Sequence, residues 1–476
     1  MTLDLSPDEF RRLGYQAIDA LADLLANVHD APARRPLPEN VRQHLHHQPL
    51  PEEGADPAAL LERVFSEILP YPMGNSSPRF FAWVNSPPAP LGVLAELLAA
   101  AHNASLAGGD HAATYVEHAV LNWFKAIVGF PDSSGGLLTS GGSMANIVAL
   151  AVMRHVKAQG DVRKQGLQNE GRRMVIYTSE QGHSCIQKAV ELLGLGSAYL
   201  RHIPTDDEFR MDITALRVQI KADKLIGLRP VCIAASAGTV NTGAIDSLDE
   251  IAEICRNEGM WFHVDGAYGA VGVLSDQAGH LYAGLEKADS IALDPHKWLY
   301  VPIECGCTLV KDPEAMRATF SVTPPYLRDD RALPWFSEFG PQQTRAFKAL
   351  KVWLTMQQIG LEGYRDLISR DIELAGYLQS RIHEREDFGL VAAGPLSITC
   401  FRYAPPGVAE SALDDLNRAV LNRVQQEGKV YLTGTMLDGK QALRACIVNF
   451  RTSEADLDFL LDTLAEAGAA VQGKQA

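Results

Sequence analysis

Lys297 lies in the segment LDPHKWLYVP, between two apolar segments that are typical of buried strands. A lysine at such a position is either a solvated loop residue or an amine that loses its charge when desolvated and acts as a nucleophile. The second interpretation requires further residues that bind the cofactor with which the amine reacts. The sequence offers candidates for these residues at three other places.

The segment LLTSGGSMAN predicts a binding site for a phosphate group. Gly142 and Ser143 lie where an apolar strand is expected to end and a helix to begin. Glycine permits close approach of the backbone, and a helix start offers free N–H groups and the positive end of the helix dipole. The segment is neither a dinucleotide-binding G-x-G-x-x-G motif nor a P-loop, so neither ligand is favoured. A plain turn between strand and helix is the alternative.

Asp265 and His183 complete the set of candidate residues. Asp265 ends the apolar strand of WFHVDGAYG, where a carboxylate is costly unless it is paired, so it either orders a turn or holds a cationic ring nitrogen. His183 lies in the loop of YTSEQGHSCIQKA and is a helix cap, a solvated residue or a functional one. A nucleophilic amine, a fixed carboxylate and a phosphate cradle together are what pyridoxal 5′-phosphate (PLP) requires.

The elements that position these residues follow an alternating pattern. From residue 88 onward, strand-like segments alternate with helical ones, which predicts an α/β fold with a mostly parallel central sheet and functional residues at the strand ends. We predict an N-terminal helical and extended segment at 1–87, a large cofactor-binding domain at 88–362 and a small C-terminal α+β domain at 363–476. Ser6 is predicted to cap an amphipathic first helix.

Composition narrows the class of protein further. The net charge of −15 argues against a nucleic-acid or anionic-membrane partner, and no apolar stretch reaches the ~20 residues of a membrane span. The N-terminus has no secretory pattern, and the seven cysteines indicate reduced thiols in the cytoplasm. An H-x-H-H segment is interpreted as part of a linker or extended arm, so we predict no metal site.

The motifs resemble those of the group II PLP-dependent amino acid decarboxylases, which include aromatic-L-amino-acid, glutamate and histidine decarboxylases. The resemblance covers nearly the whole chain. It rests on DEFRRLG, SPRFFAWVNSPP and TSGGSMAN, and above all on HVDGAYG together with DPHKW. It implies the PLP-dependent transferase fold of type I and a homodimer, with the N-terminal segment wrapped on the partner and the active sites at the interface.

The resemblance also implies a role for each matching residue. Lys297 would bind the cofactor covalently, Asp265 would pair with its pyridinium nitrogen, and His183 would stack on its ring and assist catalysis. The other matching residues would contact the cofactor or lie near it: Gly142, Ser143 and His296 at the phosphate, Asp294 and Thr239 nearby, and Ala267 under the ring. Asp294 departs from the asparagine often found there, which leaves its role open.

The proton donor also departs from the family pattern. Family decarboxylases place a tyrosine on a mobile loop, whereas here Tyr326 lies in a segment before that loop and Phe336 lies near the expected position. Phenylalanine cannot deliver a proton. In family members with that change oxygen attacks and an aldehyde forms. The alternatives are therefore an aldehyde product, or an amine whose proton comes from His183 or water.

The residues that would select the substrate are open to two interpretations. Phe80, Phe81 and Trp83 either wall an aromatic pocket or belong to the core, and Asp110 and His111 either favour a polar or basic side chain or face solvent. We predict a PLP-dependent carboxy-lyase that converts an L-amino acid, aromatic in preference to others, to its amine. DPHKW together with SPRFFAW argues against another enzyme of the same fold. The presence of both Lys297 and Asp265 argues against a binding protein without activity.

Overall fold

The computed structural model describes residues 3–168, 170–322 and 333–473. The contacts divide the chain into two compact units. One comprises Val84–Gly376 and Ala392–Thr399, and the other Met1–Trp83, Tyr377–Val391 and Cys400–Ala476. The predicted division at 87/88 and 362/363 differs from these limits and stays a prediction.

A seven-stranded sheet forms the centre of the larger unit, in the order β1-β7-β6-β5-β4-β2-β3. Its strands are β1 (Gly135–Thr139), β2 (Met174–Ser179), β3 (Leu200–Ile203), β4 (Arg229–Ser236), β5 (Trp261–Asp265), β6 (Ser290–Leu293) and β7 (Gly306–Val310). Every residue of β1, β2, β5, β6 and β7 is buried. Continuous apolar strands of this kind are typical of a sheet covered on both faces.

The direction of the strands brings the candidate residues to one edge of this sheet. β2, β3, β4, β5 and β6 pair in parallel, and β7 is antiparallel to both of its neighbours, β6 and β1. β1 therefore runs in the same direction as β6. The carboxyl ends of six strands face one edge, which confirms the predicted mostly parallel α/β sheet.

Helices follow most of these strands, as the alternating pattern predicts. The helices of this part of the chain are α4 (Pro90–His102), α5 (Ala112–Val128), α6 (Gly142–Lys157), α7 (Val162–Gln165), α8 (Ser184–Leu192), α9 (Ile213–Leu225), α10 (Leu248–Glu258), α11 (Pro313–Phe320) and α12 (Ala349–His383). The last of these helices, α12, is kinked at Gly360 with φ 70° and therefore consists of two halves. A left-handed φ interrupts the helix there.

The second unit combines the first helices with the C-terminal elements. These are α1 (Pro7–Ala26), α2 (Glu39–His46), α3 (Pro57–Arg63), α13 (Glu410–Glu427), α14 (Glu454–Gln472) and a sheet in the order β10-β11-β9-β8, formed by β8 (Phe388–Ala393), β9 (Ile398–Tyr403), β10 (Thr433–Leu437) and β11 (Lys440–Cys446). Tyr431, two residues before β10, forms an isolated parallel bridge with Phe80.

The N-terminal segment is more helical than its composition predicts. Ser6 caps α1 by accepting the N–H of Glu9 at 3.2 Å, as expected. The predicted linker, however, contains α2, whose residues are not buried. On α1 only Leu13 is buried, whereas Phe10 is 64% exposed.

Candidate active site

Five segments at the carboxyl edge of the larger sheet carry the residues that the sequence predicts to bind a cofactor. Asp265 is the last residue of β5 and pairs in register with Ser236 of β4 and Ala292 of β6. The other candidates follow their strands closely: Gly142 and Ser143 after β1, His183 after β2, Thr239 after β4, Ala267 after β5, and Asp294, His296 and Lys297 after β6. Parallel strands thus bring together residues far apart in sequence.

Lys297 is paired inside the protein and is not a solvated loop lysine. Its Nζ lies 3.1 Å from Oδ2 of Asp294, and its side chain is 24% exposed. Desolvation by itself would lower the pKa of Lys297, but the nearby carboxylates of Asp294 and Asp265 outweigh it and raise the pKa. The amine is therefore held as a cation, with the Asp294 carboxylate at hydrogen-bond distance.

Asp265 is held by two donors. The backbone N–H of Ala267 donates to its Oδ1 at 3.2 Å, and the thiol of Cys185 donates to its Oδ2 at 3.5 Å. Burial, followed by the charge of Asp265, raises the pKa of Cys185, so this thiol stays protonated and remains a donor. Sequence reasoning did not identify Cys185. Its place two residues after His183, at the start of a helix beside the sheet, is the signal that points to it.

A buried hydrogen-bond chain joins the surroundings of Asp265 to the start of α6. The Nδ2 of Asn146 donates to Sγ of Cys185 at 3.3 Å and to the carbonyl oxygen of Gly142 at 2.8 Å. Its Oδ1 lies 2.6 Å from Nε2 of His263, whose Nδ1 lies 2.9 Å from Oγ of Ser290. Burial lowers the pKa of His263 to about 4, so the ring is neutral. Since the Asn146 oxygen accepts, His263 carries its proton on Nε2.

The start of α6 forms a narrow cradle. The N-cap residue, Gly141, has φ 143°, and no side chain of the described residues caps the helix. A Cβ on Gly142 would lie 2.8 Å from Oδ2 of Asp294 and 2.9 Å from Cβ of Ala267. Only glycine therefore leaves room at this point.

His296 and Thr239 lie at the same edge of the sheet, and hydrogen bonds fix their side chains. Nδ1 of His296 lies 2.6 Å from the carbonyl oxygen of Cys305, and a Cβ on Gly141 would lie 3.3 Å from the ring. Burial lowers the pKa of His296, although Asp294 opposes this. Oγ1 of Thr239 lies 3.0 Å from Oγ1 of Thr242.

His183 is the N-cap of α8, which confirms one of the predicted alternatives. Its Nδ1 accepts the backbone N–H of Cys185 at 3.2 Å, and this bond fixes the orientation of the ring. Partial desolvation lowers the pKa of His183, with Asp265 opposing, which favours a neutral ring at pH 7. A neutral imidazole held in this way can cover a flat aromatic ligand or exchange a proton.

The residues at this edge fit the chemical groups of PLP. The uncapped start of α6 and the space that a Cβ at Gly142 would fill suit a phosphate. Asp265 can accept a hydrogen bond from a ring nitrogen, and Lys297 provides the amine. Oδ1 of Asp294 is buried without a hydrogen-bond partner among the described residues, so this edge has an unused acceptor that a bound ligand or water can satisfy.

The aromatic residues predicted to select a substrate differ in how far they are exposed. Phe80 and Phe81 are 3% and 0% exposed, and Phe80 stacks on Tyr431 with a centroid distance of 5.4 Å. The structure therefore favours the core alternative for both. Trp83 is 43% exposed, and its role in a pocket stays a prediction.

Asp110 and His111 lie at the start of α5. Asp110 is exposed and accepts a hydrogen bond from the hydroxyl of Tyr115 at 2.7 Å. His111 is the N-cap residue of α5, and its Nδ1 is buried without a hydrogen-bond partner among the described residues. Contact of either residue with a substrate stays a prediction.

Phe336 lies in the core and not in an exposed loop. It is 0% exposed, its ring lies 4.6 Å from the ring of His118, and the guanidinium of Arg345 lies 5.1 Å from its centroid. These packing contacts account for the residue, and its predicted contact with a substrate has no support from them. Tyr326 lies outside the described residues.

Other features of the chain are compatible with this site. The seven cysteines are unpaired and buried. Within residues 3–168, 170–322 and 333–473, no cluster of histidine, cysteine and carboxylate side chains is arranged to hold a metal ion. In the same residues, no helix combines the length and the apolar character that crossing a membrane requires.

Comparison with known proteins identifies relatives along nearly the whole chain. Residues 38–404 match the model of the pyridoxal-dependent decarboxylase conserved domain. An aromatic-L-amino-acid decarboxylase of Bacillus atrophaeus is 34% identical over 96% of this chain and 94% of its own length. A phenylacetaldehyde synthase of Petunia hybrida is 30% identical over 93% of this chain and 91% of its own.

A solved structure confirms the predicted fold class. The crystal structure of Oryza sativa TDC with PLP and tryptamine superimposes with a TM-score of 0.91 at 25% identity, covering 99% of this chain and 100% of that one. Together with the family match over residues 38–404, this similarity shows that the chain belongs to the pyridoxal-dependent decarboxylase family and is a PLP-dependent amino acid decarboxylase of fold type I.

Proposed function

We propose that the protein decarboxylates an aromatic L-amino acid to the corresponding amine and carbon dioxide. The observation that carries the proposal is the pairing of Lys297 with Asp294 at the sheet edge where Asp265 ends β5. The names of the relatives, an aromatic-L-amino-acid decarboxylase among them, support the aromatic class. When bound, PLP supplies a protonated ring that accepts the electron pair left behind as carbon dioxide leaves.

Lys297 and Asp265 have different tasks in this proposal. Lys297 would hold the cofactor through Nζ, and the Asp294 carboxylate, 3.1 Å away, orients that amine as its charged hydrogen-bond partner. Asp265 holds a proton at the pyridine nitrogen. The thiol of Cys185 keeps the Asp265 carboxylate in place for that task. The Asp294 carboxylate thus serves the lysine, which gives a reason for an aspartate in place of the usual asparagine.

The remaining residues position the cofactor. Gly142, Ser143 and His296 would hold the phosphate, and Thr239 and Ala267 would contact the rest of the cofactor. His183 would stack on its ring, with the orientation that the cap bond to Cys185 imposes. To return a proton to the α-carbon, His183 would first have to take up a proton from solvent, because a neutral imidazole is a poor acid.

Gly142→Ala is expected to weaken binding of PLP by about tenfold, because the new Cβ would lie within 3 Å of Asp294 and Ala267 at the phosphate cradle. Titrating apoprotein with PLP and following the absorbance of the lysine-bound cofactor measures the affinity. Gly376→Ala is the matched control, since no described atom lies within 4 Å of its added Cβ. Equal affinities for the two variants would contradict the assignment of the cradle.

An aldehyde product is the second candidate function. The chain has no tyrosine between Tyr326 and Tyr364, and a relative that shares 30% identity is named a phenylacetaldehyde synthase. If no group delivers a proton quickly, oxygen can attack the electron-rich carbon, and an aldehyde, ammonia and hydrogen peroxide result.

A panel of L-amino acids separates the two products. Phenylalanine, tyrosine, DOPA, tryptophan, histidine and glutamate are supplied, and carbon dioxide, amine, aldehyde, ammonia and peroxide are measured. We expect an aromatic amino acid to give amine and carbon dioxide in equal amounts without peroxide. Peroxide in step with carbon dioxide would support the aldehyde alternative, and turnover of only glutamate or histidine would overturn the aromatic class.

We also propose that the protein is a homodimer in the cytoplasm. Apolar side chains are exposed on α1 and α4, among them Phe10 at 64% and Leu97 at 55%. Exposed apolar side chains along a helix are typical of association surfaces, and the unpaired cysteines suit a reducing compartment.

Charged substitutions on these two helices are expected to weaken the dimer. Sedimentation should give twice the mass of one chain for the wild type and a monomer fraction for Phe10→Glu and Leu97→Glu. Leu225→Glu on α9, where the side chain is 88% exposed, serves as the control and should remain a dimer. A monomeric wild type would contradict the proposal.

A further inference from the structure

Asp371 is a buried carboxylate to which the mechanism above assigns no task. It lies in the second half of α12 and is 1% exposed. Its Oδ2 accepts a hydrogen bond from Nε1 of Trp298 at 2.8 Å and another from the hydroxyl of Tyr300 at 2.7 Å. One carboxylate oxygen therefore holds the side chains that lie one and three positions after Lys297.

Both donors are enclosed by protein. Trp298 and Tyr300 are 0% exposed. A buried donor that loses its acceptor cannot turn to water, so removal of the Asp371 carboxylate would take away the acceptor of both these hydrogen bonds at a cost. Burial raises the pKa of Asp371 to about 7, while the hydrogen bonds from Tyr300 and Trp298 lower it.

The backbone at Tyr300 shows why this segment must be held. Its φ is 57°, a left-handed conformation that is unfavourable for a bulky residue and persists only when the surroundings enforce it. The carbonyl oxygen of Tyr300 accepts the N–H of Ala89 at 2.7 Å, and its own N–H donates to the carbonyl oxygen of Lys297 at 3.3 Å. The turn after the lysine is thus fixed by its backbone and by the side chain that reaches Asp371.

The same cluster connects the lysine segment to the aspartate segment. The ring of Trp298 stacks on Tyr268, with centroids 5.1 Å apart. Tyr268 lies three residues after Asp265, and its hydroxyl is 2.6 Å from Oγ of Ser397. Asp371 therefore fixes Trp298, and Trp298 packs on the turn that follows Asp265.

We propose that Asp371 is a positioning residue for the reaction: by holding Trp298 and Tyr300, it sets the backbone from which Lys297 reaches the cofactor. A displacement of about 1 Å at a reacting group can cost on the order of 100-fold in rate. The inference rests on the proposed role of Lys297 and adds a residue that does not touch the cofactor.

The test measures how fast the apoprotein forms the lysine-bound chromophore with added PLP, together with kcat, KM and the melting temperature. For Asp371→Ala we expect chromophore formation and kcat to fall by about tenfold or more, with KM changed less. Asp371→Asn should stay within about threefold of the wild type, because the amide oxygen can accept both hydrogen bonds.

Asp223→Ala is the matched control for a loss of stability alone. Asp223 is also 1% exposed and accepts a tyrosine hydroxyl, that of Tyr177, at 2.9 Å, but it lies on α9. We expect it to lower the melting temperature and leave chromophore formation unchanged. If Asp371→Ala slows that reaction no more than Asp223→Ala at a similar loss of melting temperature, the positioning role is overturned.

Two further variants keep the inference testable if Asp371→Ala does not fold. Trp298→Phe and Tyr300→Phe retain an aromatic ring and each remove one donor to Asp371. Slower chromophore formation in both supports the inference, and wild-type rates in both overturn it. A wild-type protein that forms no chromophore at all would instead overturn the proposed function, on which the inference rests.

Discussion

Lys297→Ala is expected to abolish turnover, with kcat at least about 10³-fold lower, and to remove the visible absorbance of the lysine-bound cofactor. The reason is chemical, because the variant lacks the amine that would bind the cofactor. Among the described residues, Lys297 is the lysine whose Nζ lies beside Asp294, at 3.1 Å. Decarboxylation and absorbance are measured on protein reconstituted with PLP. Full decarboxylation by this variant would remove the assignment.

Lys297→Arg separates the charge of the lysine from its chemistry. A guanidinium preserves a cation beside Asp294 and Asp265 but keeps its proton and cannot form the bond to the cofactor. We therefore expect Lys297→Arg to be as inactive as Lys297→Ala, and to melt at a higher temperature because the buried carboxylates retain a partner. An active Lys297→Arg would show that the charge alone matters.

A buried lysine elsewhere in the chain serves as the control. Lys125 is 7% exposed and donates to the carbonyl oxygen of Asp132 at 3.0 Å. Lys125→Ala is expected to lower stability while the chromophore and turnover persist. Loss of the chromophore in this variant as well would show that absorbance reports folding and not the bond at Lys297.

Asp265→Asn is expected to lower kcat by about 10²-fold or more, with a smaller change in KM, because a neutral amide does not hold a proton at the pyridine nitrogen. The amide can keep the contact with the N–H of Ala267, so the fold should survive. Steady-state kinetics on the reconstituted protein measures the effect. Kinetics near those of the wild type would contradict the electron-sink argument.

Asp289→Asn provides a matched comparison on the same strands. Asp289 precedes β6 at the opposite edge of the sheet, where it accepts the N–H of Phe262 at 2.8 Å. An amide oxygen can accept the same bond, so we expect nearly unchanged kinetics. If only Asp265→Asn lowers the rate, the effect comes from the position of that carboxylate at the carboxyl edge of the sheet. It does not come from the loss of any carboxylate beside β5 and β6.

The sheet and the residues at its edge were accessible from the sequence because local pattern determines them. Continuous apolar segments such as SIAL form strands buried on both faces, and residues immediately after such strands lie at one edge. The positions of Asp265 and Lys297 follow from this rule. The capping of α8 by His183 follows from its place before a helix.

Contacts between distant segments could not be predicted in this way. Cys185 meets Asp265, and Trp298 meets Asp371, across sequence separations that no local pattern encodes. Phe336 is another example. Counting residues along a predicted loop placed it near the proton-donor position, but this count could not show that it is buried beside His118. Phe80 likewise lies in the core because Tyr431, far along the chain, pairs with it.

The decisive measurement is the location of the cofactor after reduction. Wild-type protein reconstituted with PLP is treated with borohydride, digested and sequenced by mass spectrometry. We expect the reduced pyridoxyl group on the peptide that contains DPHKW, attached to Lys297, and its absence from that peptide in Lys297→Arg. A pyridoxyl group on another lysine, or on none, would contradict the assignment of the active site.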